Sequence, residues 1–258
     1  MVRRHFLQLQ YDSLPAEGAL ADWVDGCWKI TNSSAWVQRF TVLPDGFFKV
    51  LLQQQPTQPP RLLLSGIWTR PRVISIAAQG TVVGIRCKLA AAELLAEPLP
   101  LNAARPLPPS HWLAPILAAG ELPEVLRQLA AHLAAAPPLA PARRRLFATL
   151  YRGAGQWPVR QVAAAAGWPM RQLSRYFQQR VGLSLKAYCD ILRAYAAARQ
   201  LQPAGGGLWP QGSYYDQSHG IRQLRKYTGH TPRQLYQRRL DHFIQLCPPA
   251  TMDICSPP

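Results

Sequence analysis

The stretch VRQVAAAAGWPMRQLSRYFQQRVG, Val159 to Gly182, decides the fold class of the C-terminal part of this chain. In its first half, Val162, Ala163 and Ala166 fall on one stripe of a helix, which is the pattern of a helix that packs one face against a core. Gly167 follows directly and can adopt the left-handed conformation that ends a helix. The sequence therefore predicts a short helix with a sharp stop.

A second helix is predicted directly after this stop, in MRQLSRYFQQR. Leu173 and Phe177 lie four positions apart, so they share one face and form a core pair. The polar side chains that point elsewhere are Arg171, Ser174, Arg175 and Gln178. A short helix, a tight turn and a second helix with a polar exposed face together are typical of a helix-turn-helix unit.

A helix of similar build is predicted near the C-terminus, in DQSHGIRQLRKYTGHTP. Asp216 stands where an N-cap is expected and Gly229 where the helix stops, with Ile221 and Leu224 as inward positions. Between the two units, Ser184 is the expected N-cap of a long helix, LKAYCDILRAYAAARQL. The sequence therefore predicts two similar units joined by one long helix.

The positive charge of the chain is concentrated in this helical part. The formal net charge is +16 and the sequence pI is about 10.4. From Arg143 to Leu240 the chain has 17 Lys and Arg residues against two acidic ones, a net charge of +15, whereas residues 1–142 carry only +3. Such a segregated excess favours a polyanionic partner, and arginine suits bidentate contacts to phosphate and guanine.

The N-terminal part has the pattern of a small sheet followed by helices. Strands are predicted in WVQRFTVL, FFKVLLQQ, RLLLS, RVISIA and TVVGIRCK, with Pro44-Asp45-Gly46 as a turn between the first two. We expect the Asp45 side chain to bond its own backbone and Gly46 to take a positive φ. Helical spacing follows in AAAELLAE, HWLAPILAA and LPEVLRQLAAHLAAA.

A proline-rich stretch then separates the two parts. The fold class expected is α+β, a mixed and mainly β domain at 1–136 followed by an all-α double helix-turn-helix domain at 143–240. Residues 137–142 are the expected linker and 241–258 a tail.

Catalytic, metal and membrane functions are not expected. The five cysteines form no CxxC pair and the histidines no HxH or HExxH pair, so neither a disulfide framework nor a metal site is indicated. Residues 1–142 assemble no nucleophile, base and oxyanion donor, so we expect no enzyme and no cofactor. No apolar run approaches the roughly 20 residues that span a bilayer, and a cytoplasmic location is expected.

The C-terminal residues resemble the AraC/XylS family of bacterial transcription regulators. The resemblance rests on LSRYFQQRVGLSLKAY and on YYDQSHGIRQLRKYTGHTP, which match the family's first and second units. TVLPDGFFKVLL and VVGIRCKLAAAELL resemble the sensor domain of one subset. The resemblance implies a double helix-turn-helix that reads two adjacent major grooves of an operator.

By motif position, the family implies residues that face DNA. The base contacts implied are Arg171, Ser174 and Arg175 in the first unit and Ser218, His219 and Arg222 in the second. Arginine can donate two hydrogen bonds to guanine, which is worth roughly 1–3 kcal/mol of discrimination. The phosphate contacts expected are Arg180, Lys186, Arg225 and Lys226. His219 also has a structural interpretation, as a packing residue or a backbone partner.

Three features depart from the family pattern: the cap of the first recognition helix, two core positions of the second, and the segment before the second. Pro169 replaces the usual Ser cap, and Gly220 and Leu224 replace bulky aromatic residues. Between Leu201 and the Tyr-Tyr-Asp segment the chain reads QPAGGGLWPQGS where the family has a supporting helix, and glycine and proline disfavour one. An alternative function therefore stays open, a degenerate regulator that pairs with a protein partner and binds DNA without sequence preference.

The expected partners besides double-stranded DNA are those that the family leaves open: a small-molecule effector, RNA polymerase and a second copy of the chain. Two interpretations, core residues or the lining of a ligand cavity, stay open for the N-terminal aromatic residues Trp23, Trp28, Trp36, Phe40, Phe47, Phe48 and Trp68. Arg39, Arg86 and Lys88 are candidates for contact with an acidic ligand.

Overall fold

The structure is a computed structural model that describes residues 2–6, 9–95, 97–201, 214 and 216–237. An antiparallel β region forms the N-terminal part and a helical region follows it, so the predicted α+β class is confirmed. Within the described residues, no helix is both long and apolar enough to cross a membrane.

The larger sheet of the described chain has seven antiparallel strands in the order β1-β2-β3-β8-β5-β6-β9. Its strands are β1 Val2–Phe6, β2 Leu9–Pro15, β3 Val24–Asn32, β5 Phe48–Gln55, β6 Gln58–Ser65, β8 Thr81–Cys87 and β9 Ala104–Pro106. The central strands β5 and β8 bury residues on both faces, so both faces of the sheet are covered. The first two strands were not predicted, and β3 begins before the predicted strand texture at Trp28.

A second sheet pairs β4 (Gln38–Val42) with β7 (Arg72–Ile76). Phe40 and Ile76 of this sheet pack with Ile30 and Val82 of the larger sheet, and these contacts close one side of the space between the two sheets. A cavity of about 560 Å³ lies between them, lined from both.

Helices cover the other face of the larger sheet. The 3₁₀ helices Gly18–Asp22 and Leu89–Leu94 flank it, and α1 (Leu113–Ala118) and α2 (Leu122–Ala134) pack on β3, β5 and β8. The predicted helical segments after Lys88 are therefore confirmed, although the first of them is a 3₁₀ helix.

Six further helices follow within the described C-terminal residues. They are α3 Pro141–Arg152, α4 Val159–Ala166, α5 Met170–Arg180, α6 Leu185–Gln200, α7 Gln217–Thr228 and α8 Pro232–Gln237. The caps agree with the sequence: Gly167 and Gly229 are left-handed at the ends of α4 and α7, and the Ser184 side chain accepts a hydrogen bond from the amide of Ala187. Helix α3 starts at Pro141, inside the range predicted as a linker. The segment QPAGGGLWPQGS, in which no supporting helix is expected, lies outside the described residues.

The N-terminal region (the residues before α3) and the helical region share one hydrophobic core. Residues of β5 and β8 belong to the same buried cluster as residues of α3 to α6. The Tyr151 hydroxyl accepts a hydrogen bond from the amide of Leu89 at 2.8 Å and lies 2.9 Å from the hydroxyl of Tyr188. Because both tyrosines are deeply buried, burial raises their pKa values and they stay neutral donors. The 3₁₀ helix Leu89–Leu94 is thus fixed against α3 and α6.

Candidate nucleic-acid interface

Helices α4 and α5 meet at a tight turn that fixes the direction of α5. The amide of Gly167 bonds back to the last turn of α4, and its φ of +67° reverses the chain. Pro169 then stands at the N-cap of α5 without a side-chain cap, and its φ of −59° suits a helix start. Although Pro169 departs from the family pattern, α5 still forms a helix of 11 residues.

Helix α5 divides cleanly into a buried and an exposed face. Leu173 and Phe177 are fully buried, as predicted. The three side chains that the resemblance assigns to base contacts are all exposed: Arg171, Ser174 and Arg175. Arg171 and Arg175 line a surface depression together with Arg143 and Trp168. Sequence reasoning missed Arg143 and Trp168 because they lie outside α5 and reach it only through the packing of α3 and the turn.

Two partly buried side chains of α5, those of Tyr176 and Arg180, contact the N-terminal region. The Arg180 guanidinium donates hydrogen bonds to the carbonyl oxygens of Ala92 at 2.6 Å and Leu95 at 3.0 Å. The Tyr176 hydroxyl donates to the Glu93 carboxylate, which also pairs with Arg143 at 2.6 Å. Arg180 therefore has backbone partners in this conformation, and the phosphate contact predicted for it would require the loss of these hydrogen bonds.

Helix α7 is capped in the way the sequence predicts, and of the two predicted inward positions Leu224 is fully buried whereas Ile221 is only partly buried. The Asp216 carboxylate accepts hydrogen bonds from the amides of Ser218 at 3.0 Å and His219 at 3.2 Å. Ser218 and His219 take part in this cap through their backbone amides, and the side chains of Ser218, His219 and Arg222 are exposed. The His219 ring makes an edge contact with the Tyr214 ring at 6.2 Å between centroids. His219 thus packs partly against Tyr214, as the structural interpretation expects, and the rest of its side chain is exposed to solvent.

Cationic side chains extend the exposed surface beyond these two helix faces. Arg225 is exposed on the last turn of α7, and Lys226 lies over the ring of Tyr227 at 4.8 Å. Lys186, on the first turn of α6, is exposed and pairs with Asp190 at 3.2 Å. The Lys186 side chain is 76% exposed and Asp190 also lies 3.8 Å from Arg193, so Asp190 keeps a cationic neighbour if Lys186 turns to a phosphate.

The inward side of α7 depends on a second core cluster. Leu224 is fully buried there, and Gly220 is buried without offering a side chain. The cluster also contains Leu43, which comes from the N-terminal region directly after β4. No local pattern in the sequence could have placed Leu43 in one cluster with Leu224, because the two residues are 181 positions apart.

The cavity between the two sheets is apolar with a charged end. Its aromatic lining includes Trp28, Phe40 and Trp68, of which Phe40 is also a buried member of a core cluster. Phe48 is a buried core residue, whereas Trp36 is 71% exposed. Of the three cations predicted for an acidic ligand, Arg86 lines the cavity.

The charged end of the cavity is a network of buried ion pairs. Arg86 bonds Asp25 at 2.8 Å and Asp45 at 3.2 Å, and Lys49 bonds Asp45 at 2.6 Å. Burial lowers the pKa of Lys49, and the Asp45 carboxylate opposes that effect. The Arg86 guanidinium also stacks on the Phe47 ring at 3.9 Å and lies 5.2 Å from the Tyr195 ring of α6. Arg86 therefore contacts both the cavity and α6.

Metal-binding clusters of His, Cys, Asp and Glu are absent from the residues that the structure describes. Three of the five cysteines, Cys27, Cys87 and Cys189, are buried free thiols whose pKa values burial raises to about 12. They are therefore neutral packing residues rather than nucleophiles.

The N-terminal region matches a family model, and most of the chain is similar to a solved structure. The family model described as Domain of unknown function (DUF6597) matches residues 12–104, which run from within β2 to the start of β9. No curated protein matches the chain. Among solved structures, the chain is similar to a crystal structure of an apo ToxT variant from Vibrio cholerae, with 9% sequence identity and a TM-score of 0.37 over 91% of this chain and 98% of that one.

Proposed function

We propose that this protein is a sequence-specific DNA-binding transcriptional regulator that works in the bacterial cytoplasm. The observation that carries the proposal is the shared layout of α5 and α7. Each of these helices buries an apolar face in a core and leaves cationic and hydroxyl side chains exposed, and α6 connects the two units. An exposed helix face of this composition, in a region with a net charge of +15, suits the major groove of duplex DNA.

The two helices have separate base-reading sets in this proposal. Arg171 and Arg175 donate to guanine, and Ser174 donates to or accepts from a neighbouring base edge. On α7, Ser218, His219 and Arg222 have the same task. Phosphates are held by Lys186, Arg225 and Lys226, whose contacts fix the register of the protein on the duplex.

The cavity of the N-terminal region is the proposed site for a small-molecule effector. Its volume of about 560 Å³ is in the range of ligand pockets, and its lining is mainly apolar with a few charged groups. Arg86 supports a route to the DNA-binding region because it contacts Tyr195 of α6 as well as the cavity. An effector changes DNA binding only if its affinity differs between two arrangements of these contacts. Contact with RNA polymerase and pairing of two copies are further expectations of a regulator.

The test is selection of bound sequences from a random duplex library with the full chain. Two variants accompany the wild type, Arg171→Ala with Arg175→Ala, and separately Arg222→Ala. We expect a motif in two parts, of which the double variant loses one and the Arg222 variant the other. Loss of a bidentate arginine contact typically costs about 1–3 kcal/mol of discrimination at its base.

The other outcomes separate the competing functions. A motif that only the Arg171 and Arg175 double variant abolishes would make α7 a phosphate clamp rather than a reader of bases. Binding without any motif, which simply fades as salt rises, would refute the specific regulator. It would favour the alternative in which a degenerate regulator acts through a protein partner.

A further inference from the structure

The smaller of the two core clusters that contain residues of α7 includes one residue of the N-terminal region. Leu43 is 2% exposed, and among the described members of its cluster it is the one that precedes α3. The others belong to α6, to α7 and α8, or directly follow α6: Tyr195, Ala197, Ala198, Leu201, Leu224 and Leu235. We infer that Leu43 is a positioning residue for α7, so that the N-terminal region forms part of the second DNA-reading unit. The role in DNA reading rests on the proposed function.

The second unit has little core of its own among the described residues. Helix α7 has 12 residues and α8 has six, and helices this short are marginal unless they pack against other elements. At Gly220 the buried face of α7 has no side chain at all. Leu224 and Leu235 are nevertheless fully buried, and the Leu43 side chain supplies part of that cover. Removal of Leu43 would therefore expose the core beneath α7.

The segment that carries Leu43 is fixed against α6, so it holds the side chain at a defined place. The Tyr188 hydroxyl donates a hydrogen bond to the carbonyl oxygen of Gly46 at 2.5 Å. The Asp45 carboxylate accepts from the amide of Phe47 at 3.1 Å and pairs with Lys49 and Arg86. The bond from Tyr188 and the ion pairs of Asp45 thus set the position of the turn from Pro44 to Phe47 (hereafter the docking turn), and Leu43 directly precedes it.

A second residue of the N-terminal region lies near the end of α7. Pro71, just before β7, lies at the turn after α7, where its Cγ would be 3.9 Å from a Cβ added at Gly229. The first unit makes different contacts with the N-terminal region, through Tyr176 and Arg180 of α5. The two reading helices therefore contact the N-terminal region through different residues, although Tyr227 of α7 also lies in the large core cluster that contains Leu173 and Phe177 of α5.

The experiment compares Leu43→Ala in the full chain with the wild type by two readouts. Hydrogen exchange of backbone amides is followed in α7 and in α5 in the absence of DNA. We expect exchange in α7 (Gln217–Thr228) to become at least about tenfold faster, because a large-to-small change in a core promotes local opening. Exchange in α5 (Met170–Arg180) should stay as in the wild type.

The second readout is the sequence motif selected from random duplexes. Leu43→Ala should lose the part of the motif that depends on Arg222 and keep the part that depends on Arg171 and Arg175. Leu43→Met, which conserves volume and hydrophobicity, should restore both parts. Leu43→Val offers a milder truncation if the alanine variant does not fold.

Leu62→Ala is the matched control, because Leu62 is a buried leucine of β6 that belongs to the large core cluster and not to the cluster of Leu43. It should not produce faster exchange confined to α7. Equal changes in α5 and α7 with Leu43→Ala, or no change in either, would overturn the inference even if the wild type selects a two-part motif. If the wild type selects no motif but exchange in α7 responds as expected, the proposed function fails and the packing role of Leu43 stands.

Discussion

At the scale of single residues, Asp45 has the largest number of separate tasks in the docking turn. Its side chain is 2% exposed, so its charge must be compensated locally. It accepts hydrogen bonds from the amide of Phe47, from Lys49 and from Arg86. One carboxylate thereby shapes the turn, pairs with two buried cations and holds a side chain of the cavity wall.

We expect Asp45→Asn to lower the free energy of unfolding by about 3–5 kcal/mol, because the substitution removes the carboxylate that pairs with buried Lys49 and leaves Arg86 with Asp25 alone. The amide keeps the size of the carboxylate, and its oxygen can still accept from the amide of Phe47. The loss therefore reports on charge rather than on shape. Urea denaturation followed by far-UV circular dichroism measures it.

The control for Asp45 is Glu124→Gln on the surface of α2. Glu124 bonds Arg127 at 2.5 Å, but this pair is solvated on the helix surface. The control should leave the urea midpoint unchanged within error. If Asp45→Asn is equally silent, the buried network does not hold the docking turn in the way described.

At the scale of elements, the backbone of the docking turn at Gly46 lies against side chains of α6. A Cβ at this position would lie 2.5 Å from Cδ2 of Leu192, and the φ of +76° is costly for any residue with a side chain. Only glycine therefore lets the turn approach α6 closely enough for the Tyr188 hydroxyl to reach its carbonyl oxygen.

Gly46→Ala should destabilise the protein by more than Gly18→Ala. Gly18 has a comparable φ of +56°, but nothing lies within 4 Å of an added Cβ, so it isolates the backbone cost of about 1–2 kcal/mol. Gly46→Ala adds overpacking against Leu192, typically a further 1–3 kcal/mol. Urea denaturation of both variants gives the difference. Equal losses would mean that the turn does not pack tightly on α6.

Elements whose signals are local were predictable from the sequence. Gly167 ends α4, and Ser184 and Asp216 cap α6 and α7, because a cap depends on a few neighbouring residues. The exposed face of α5 followed from the spacing of its core pair. In contrast, the position of Leu43 under α7 depends on how whole elements dock, and a single sequence contains no local signal for that. The ion pairs of Arg86 were missed for the same reason, since Asp25 and Asp45 are distant in sequence.

At the scale of the whole molecule, the distribution of charge separates structural cations from those available to a polyanion. Arg86 is buried in ion pairs and Arg180 donates to the carbonyl oxygens of Ala92 and Leu95. Arg225 and Lys226 lie exposed on the last turn of α7. Formal charge alone therefore overstates the number of cations that can release counterions from DNA.

The salt dependence of DNA binding distinguishes these two classes of arginine. Replacement of a phosphate contact reduces the slope of log K against log salt by about one, so Arg225→Gln should lower it by that amount. Arg180→Gln should leave the slope unchanged, because its guanidinium contacts backbone carbonyl groups in the N-terminal region. Binding to one duplex at several salt concentrations measures both slopes. A lower slope for Arg180→Gln would show that α5 releases the N-terminal region when DNA binds, and that Arg180 then holds a phosphate.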